Sequence, residues 1–162
     1  MLSTKQLKSI ELVGFDFDGV FTDNTVYIDE NGKETVRCWR SDGLGLARLK
    51  DIGIKTYIIS TEKNPLVARR AQKLKVPCLH DVKNKRDAIE KVCSDLDVSP
   101  NKVMFVGNDI NDIPAFKIVG MPVGVGDADP CIDSFVTHKL SKSGGYGAVR
   151  EICDLIYEAN IS

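Results

Sequence analysis

Short apolar runs that end abruptly in polar residues alternate along this chain with stretches of helical periodicity. Three of them carry the pattern: IELVGFDF at 10–17, KTYIIS at 55–60 and VMFVG at 103–107. Runs of this length and β-branched content read as strands. Both faces of each run are largely apolar, so both must be covered, which predicts a parallel sheet between two layers of helices. Val26–Ile28 and Thr35–Trp39 flank a Gly-containing turn at Asp29–Gly32 and predict a hairpin. Helices are expected over Leu44–Ile52, Asn64–Leu74, Lys85–Leu96, Ile113–Val119 and Gly147–Ala159, with shorter strands at Cys78–His80, Pro122–Val125 and Phe135–Thr137. The expected class is α/β, a Rossmann-like three-layer sandwich with a central parallel sheet and a small β-hairpin insertion.

Composition narrows the function classes. A length of 162 residues predicts one domain spanning 1–162, and such a chain buries about 70% of its unfolded surface without disulfide or metal staples. Lys and Arg number 22 against 23 Asp and Glu, a net charge of −1 with no basic cluster, which argues against a nucleic-acid partner. No apolar run approaches the roughly 18–20 residues of a membrane span, and Met1–Lys8 lacks the apolar core of a secretory signal. The five cysteines are widely separated and the histidines are only His80 and His138. Reduced thiols in a cytoplasmic protein are therefore expected, and a zinc site built from close ligand pairs is not.

In an open parallel sheet, ligands bind beyond the carboxyl ends of the strands. There the sequence places Asp16 and Asp18 after the first run, Ser60 and Thr61 after the second, and Asn108, Asp109 and then Asp112 after the third; Lys85 opens a helix between them. Clustered carboxylates without thiols or imidazoles make a hard oxygen site suited to magnesium. A hydroxyl and an ammonium suit phosphate oxygens. One carboxylate can act as nucleophile, and a second, two residues on, can protonate the leaving oxygen and later activate water. Plainer roles stay open beside these: Asp109 and Asp112 as helix-starting residues, Ser60 and Thr61 as caps, Lys85 as a solvated helix residue with Lys83 as a rival.

The run Asp16-Phe17-Asp18-Gly19-Val20-Phe21-Thr22-Asp23 resembles the first motif, DxDGxxTD, of the haloacid dehalogenase (HAD) superfamily phosphatases. The Ser/Thr, the Lys and a second acidic cluster then follow in the same order. Ile59–Pro65, Arg69-Arg70-Ala71, Gly107–Asp112 and Gly144–Glu151 are similar to the branch acting on 3-deoxy-2-ulosonate phosphates, which includes 3-deoxy-D-manno-octulosonate 8-phosphate phosphatases and the phosphatase domains associated with acylneuraminate cytidylyltransferases. The resemblance runs from about residue 10 to 155. It implies a HAD-like fold, with Asp16 as nucleophile and metal ligand, and Asp18 as general acid/base whose carbonyl also ligates Mg2+. It implies further that Ser60 or Thr61 holds the transferring phosphoryl group, that Lys85 neutralises charge, and that Asn108 and Asp109 complete the metal site.

Two departures stand out. Asn108 occupies a position that is Asp in many relatives, and Asn84 stands where Asp usually precedes the lysine. Asn108 also resembles the sialic-acid-associated members and keeps open an eight- or a nine-carbon sugar-acid phosphate as substrate. Only 44 positions separate Asp16 from Ser60 and 25 separate Ser60 from Lys85, too few for a separate cap domain. The resemblance implies instead a homotetramer in which hairpins assemble, with Gly144, Gly145 and Gly147 forming a substrate-side strip. Arg69 and Arg150 are candidates for the substrate carboxylate. The expected function is Mg-dependent hydrolysis of a 2-keto-3-deoxy sugar-acid phosphate. Its rival is a weak or inactive oligomerisation module partnering a cytidylyltransferase, the CMP-sialic acid synthetase. A phosphorelay receiver fits poorly, since there the lysine follows the Ser/Thr on the last strand.

Overall fold

The computed structural model describes residues 2–162. A short helix, α1 (Thr4–Lys8), opens it, started by Ser3 in a reciprocal capping box with Gln6. The chain then runs through β1 (Leu12–Phe15), a two-rung hairpin of β2 (Tyr27–Ile28) and β3 (Glu34–Thr35), α2 (Asp42–Asp51), β4 (Lys55–Ile59), α3 (Leu66–Leu74), β5 (Cys78–Leu79) and α4 (Lys85–Leu96). After these come β6 (Val103–Gly107), α5 (Ile113–Phe116), β7 (Met121–Gly124), β8 (His138–Lys139) and α6 (Ala148–Ile161). The large sheet is parallel throughout in the order β5-β4-β1-β6-β7-β8. Buried on both faces, β1 and β6 explain the unbroken apolar runs.

Strand order reverses at β1, which lies between β4 and β6, and a crevice opens at such a switch point. Register makes the crevice specific. Phe15 lies opposite Ile58 on one side and Val106 on the other, so the residues just past the three strands reach one rim nearly level.

Three local expectations shift. The hairpin ladder is only two pairs long because its strands bury almost nothing; Tyr27 and Ile28 are 65% and 64% exposed. Residues Val36–Trp39 pass back toward the core without forming a strand, apart from a single bridge from Cys38 to Thr22. The last strand is His138–Lys139 rather than Phe135–Thr137. That apolar stretch has strand-forming side chains, but the chain reaches β7 only at Val123, with Thr137 bonded to the Pro122 carbonyl just before it.

The largest helix pair is α2 against α6. The latter buries Val149, Ile152, Cys153 and Ile156 along one stripe. Asp42 ties the two together: fully buried in the first turn of α2, it accepts the Arg150 N–H of α6 at 3.1 Å. Burial pushes its carboxyl up to about 7, against the Arg150 N–H and the charges of Arg70, Arg150 and Lys142. The unfolded group ionises near 3.8, so between these values the unfolded chain releases a proton that the folded chain keeps. Stability therefore falls as pH rises through that window. Asp42→Asn removes the effect while retaining an acceptor. The variant is expected to gain on the parent by on the order of 3 kcal/mol between pH 4 and 8, read from urea unfolding. A pH-independent difference would place Asp42 at its ordinary carboxylate value.

Candidate active site

Asp16 is held by its N–H bond to the Val106 carbonyl at 2.9 Å, so β6 orients the first residue after β1. Its Oδ1 accepts the Phe17 N–H at 2.7 Å and Lys85 Nζ at 2.7 Å. Lys85, 1% exposed, also donates to Asp112 Oδ1 at 2.6 Å. It is the first residue of α4, which Asn84 caps by accepting the Arg86 N–H; Asn at 84 is thus a helix-starting residue that aims Lys85 inward, while Lys83 lies exposed. The other oxygen of Asp112 accepts the N–H groups of Asn108 at 2.7 Å and Asp109 at 3.2 Å. Asp112 is therefore a buried strut, joining Lys85 to the loop after β6.

Around this ion pair lies a cavity of about 220 Å3 lined by Asp16, Asp18, Ser60, Thr61, Asn108 and Asp109, with Asn24 and Asn111 at its edge. Ser60 Oγ accepts the Glu62 N–H at 3.1 Å, leaving its own proton to donate into the cavity. Burial raises the Asp18 carboxyl above its ordinary range; Glu62 and Glu34 add to the rise and Lys85 opposes it. Burial likewise pushes Asp16 up to about 7 against the pull of Lys85. Asn108 Oδ1 is buried with no hydrogen-bond partner among the described residues. The Asn108 amide lies where a side chain on Gly19 would otherwise sit, and Gly19 has φ +79. An unsatisfied buried carbonyl oxygen beside two carboxylates is a donor set that fits a hard divalent cation.

The profile described as a haloacid dehalogenase-like hydrolase matches residues 44–120. The chain is 33% identical over 159 residues to the 3-deoxy-D-manno-octulosonate 8-phosphate phosphatase of Haemophilus influenzae, an alignment covering 96% of this chain and 87% of that one. The chain belongs to the haloacid dehalogenase-like phosphatases. Its branch is that of the 3-deoxy-D-manno-octulosonate 8-phosphate phosphatases. The crystal structure of the Yersinia pestis enzyme of that name superposes with a TM-score of 0.93 at 31% identity, covering 98% of this chain and 86% of that one. The Moraxella catarrhalis enzyme, in complex with a magnesium ion, a phosphate ion and a KDO molecule, gives 0.91 at 30% identity, covering 96% and 90%.

In this phosphatase a second cavity, of about 330 Å3, adjoins the first and shares Asp18, Asn24 and Thr61 with it. Its walls include Val26 and Val36 from the hairpin region and Leu66 and Val67 from α3, with Glu34, Glu62 and Asn64 as polar groups. Asn64 Nδ2 donates to Glu34 Oε2 at 3.2 Å and links the hairpin to the start of α3. Sequence pattern marks Glu62 and Asn64 only as part of the Ile59–Pro65 run and does not mark Glu34, because strand-end logic does not reach a hairpin folded over the site.

The sequence-derived substrate residues lie outside both cavities. Arg69 is exposed. Its neighbour Arg70 donates to the Trp39 carbonyl at 3.3 Å and has a buried, unpartnered Nε. Helical phase could have found it: Arg70 stands three residues after buried Val67 and four before Leu74, on the flank of the inward stripe. Arg150 is paired with Asp154 at 2.6 Å. Gly144 donates to Asp127 Oδ1 at 2.9 Å and Gly145 to the Val20 carbonyl at 3.1 Å, so this strip lies on the backbone of residues 19–23, behind the catalytic turn. A Cβ at Gly144 would collide with the Gly19 and Thr22 carbonyls. Gly144→Ala is expected to cost about 2 kcal/mol or more, read by thermal unfolding. It should also lower kcat by displacing Asp18, whereas a pure substrate-contact role would raise KM and leave stability intact.

Proposed function

We propose that this phosphatase hydrolyses the phosphomonoester of a 2-keto-3-deoxy sugar acid through an aspartyl-phosphate on Asp16. The observation that carries the reading is the state of that carboxylate: Oδ1 is pinned by Lys85 and the Phe17 N–H, and Oδ2 remains for phosphorus. Asp16 Oδ2 forms the bond to phosphorus as the bond to the sugar oxygen breaks. Asp18, kept protonated more readily than an ordinary carboxyl, gives its proton to that oxygen. Its carboxylate then takes a proton from the water that attacks phosphorus, releasing phosphate and restoring Asp16. Ser60 donates to a phosphoryl oxygen, and Lys85 balances the charge that develops.

Asp16, the Asp18 carbonyl, Asn108 and Asp109 would hold Mg2+. The ion would supply charge neutralisation at the phosphoryl oxygens. Asn108 contributes a neutral oxygen, and Asp109 shares its carboxylate with the Ile110 N–H of the following turn at 2.6 Å. The named relatives support 3-deoxy-D-manno-octulosonate 8-phosphate as the substrate. The apolar wall of Val26, Val36, Leu66 and Val67 favours a second reading, an N-acylneuraminate 9-phosphate whose acyl methyl lies on that wall. The exposed apolar hairpin is the natural contact of a homotetramer, and a cytidylyltransferase is the partner that the nine-carbon reading would bring.

Phosphate release from the two esters side by side, with and without Mg2+, tests the proposal. A preference of about a hundredfold, roughly 2.7 kcal/mol of transition-state binding, assigns the substrate. Absence of release from both, with the chain folded and Mg2+ present, overturns the sugar-acid reading.

A further inference from the structure

At the far end of β4 from the catalytic rim, α2, α3 and α4 all reach their C-termini around one depression. Gly53 follows α2, Lys75 closes α3 in a left-handed conformation and Leu96 ends α4; all three border a cavity of about 540 Å3. Its size falls within the range of small-molecule sites. The depression exists because β5 begins only at Cys78. Ile58 and Ser60 donate to the Pro77 and Leu79 carbonyls, and the same alternation points the N–H and C=O of Thr56 outward where no strand has begun. Pro77, with no N–H, cannot satisfy that carbonyl.

The walls are apolar, formed chiefly by Leu46, Ile54, Tyr57, Leu74 and Val76. The charged residues lining the cavity are Lys50, Lys55 and Lys75, and no carboxylate lines it, although acids slightly outnumber bases in the chain. Lys55 is occupied, donating to the Leu96 carbonyl at 3.1 Å. Lys50 and Lys75 make no ion pair or side-chain hydrogen bond among the described residues.

We propose that this cavity binds a small amphipathic anion, an acyl or aryl chain bearing one carboxylate, sulfonate or phosphate. The body lies against Leu46, Leu74 and Val76, and the anionic head meets Lys50 and Lys75. Thr56 offers the head or its linkage one donor and one acceptor. The cavity reaches along β4 as far as Tyr57, and buried Ile58 and Ile59, about 10 Å of strand, separate it from Ser60, so its ligand does not compete with phosphate.

The test uses dodecanoate, followed by calorimetry on the full chain, and 8-anilinonaphthalene-1-sulfonate, followed by fluorescence. One molecule per chain is expected, with half-saturation below about 1 mM. Raised salt should weaken binding, and saturating inorganic phosphate should not displace it. Lys50→Glu with Lys75→Glu is expected to weaken binding about tenfold or more. Ala47→Trp, at an exposed helical position bordering the cavity, should abolish it by filling the space. Both variants should keep hydrolysis of p-nitrophenyl phosphate, which separates this site from the catalytic one and reports the fold. No saturable binding, or binding that both variants leave unchanged, overturns the proposal. Retention on phosphatidylglycerol vesicles without binding of free dodecanoate would assign the lysines to a bilayer surface and overturn it equally.

Discussion

Asp16→Asn is expected to reduce phosphate release by at least about 10,000-fold, because in the proposed mechanism the group that attacks phosphorus is replaced by an amide of nearly the same shape. The fold should persist. An amide oxygen at Oδ1 still accepts from Lys85 and the Phe17 N–H, and Lys85 keeps Asp112 as its counter-charge. Stability has a direction as well. Burial raises the Asp16 carboxyl above the usual carboxylate range against the pull of Lys85, so the parent loses stability as pH rises through its titration and the Asn variant does not. The variant should therefore melt relatively higher at pH 8 than at pH 4.5, in the absence of metal. Phosphate release and thermal unfolding on the same preparations check both statements. Residual activity within tenfold of the parent would move the nucleophile away from Asp16.

Lys85→Met should be the most destabilising single change in the site. The ammonium lies between Asp16 and Asp112 at 2.7 and 2.6 Å, and all three groups are buried. Burial alone would lower its proton affinity, but the two carboxylates outweigh that and hold it above the ordinary lysine value. Removing it leaves two buried carboxylates without a counter-charge, a loss of roughly 3–5 kcal/mol. Because one of them can then take up a proton, the loss should shrink as pH falls. Adding Asp112→Asn to Lys85→Met removes one orphaned charge and should recover part of the loss, a coupling that a double-mutant cycle in urea measures. Equal losses in the single and double variants would mean that Asp112 and Lys85 do not act as a pair. Activity should fall in both, since in the proposed mechanism Lys85 also balances charge at the phosphoryl group.

The legible parts of this phosphatase are those set by local pattern. Burial on both faces leaves an unbroken apolar run in β1 and β6, and β-branched content marks β4, so all three could be placed, and with them the polar residues at their carboxyl ends. Val103–Gly107 and Lys85–Leu96 agree to the residue, because an apolar run ending at Gly and an Asn-started amphipathic helix mark their own limits. From those limits Asp16, Asp18, Ser60, Lys85 and Asn108 were candidates before any coordinates were known, and the structure gathers them at one rim.

What local pattern could not carry are contacts between distant segments. Asp112 is legible as part of the acidic cluster after β6, but not its partner; only packing turns it inward to bind Lys85 and two backbone N–H groups. Gly144 and Gly145, expected as part of a substrate-side strip, lie on the loop after β1, an approach of two backbones that glycine alone permits. The α1 helix, five residues long, is too short to leave a helical period, and the last strand is His138–Lys139 rather than Phe135–Thr137 because strand limits there depend on where β7 is met rather than on propensity. Arg70 rather than Arg69 turns toward Trp39 because the loop before α2 passes on that side of α3. Hydrophobic period and capping act within a few residues and are written in the chain. Register, counter-charge and close backbone approach act between segments tens of residues apart, and only the folded chain decides them.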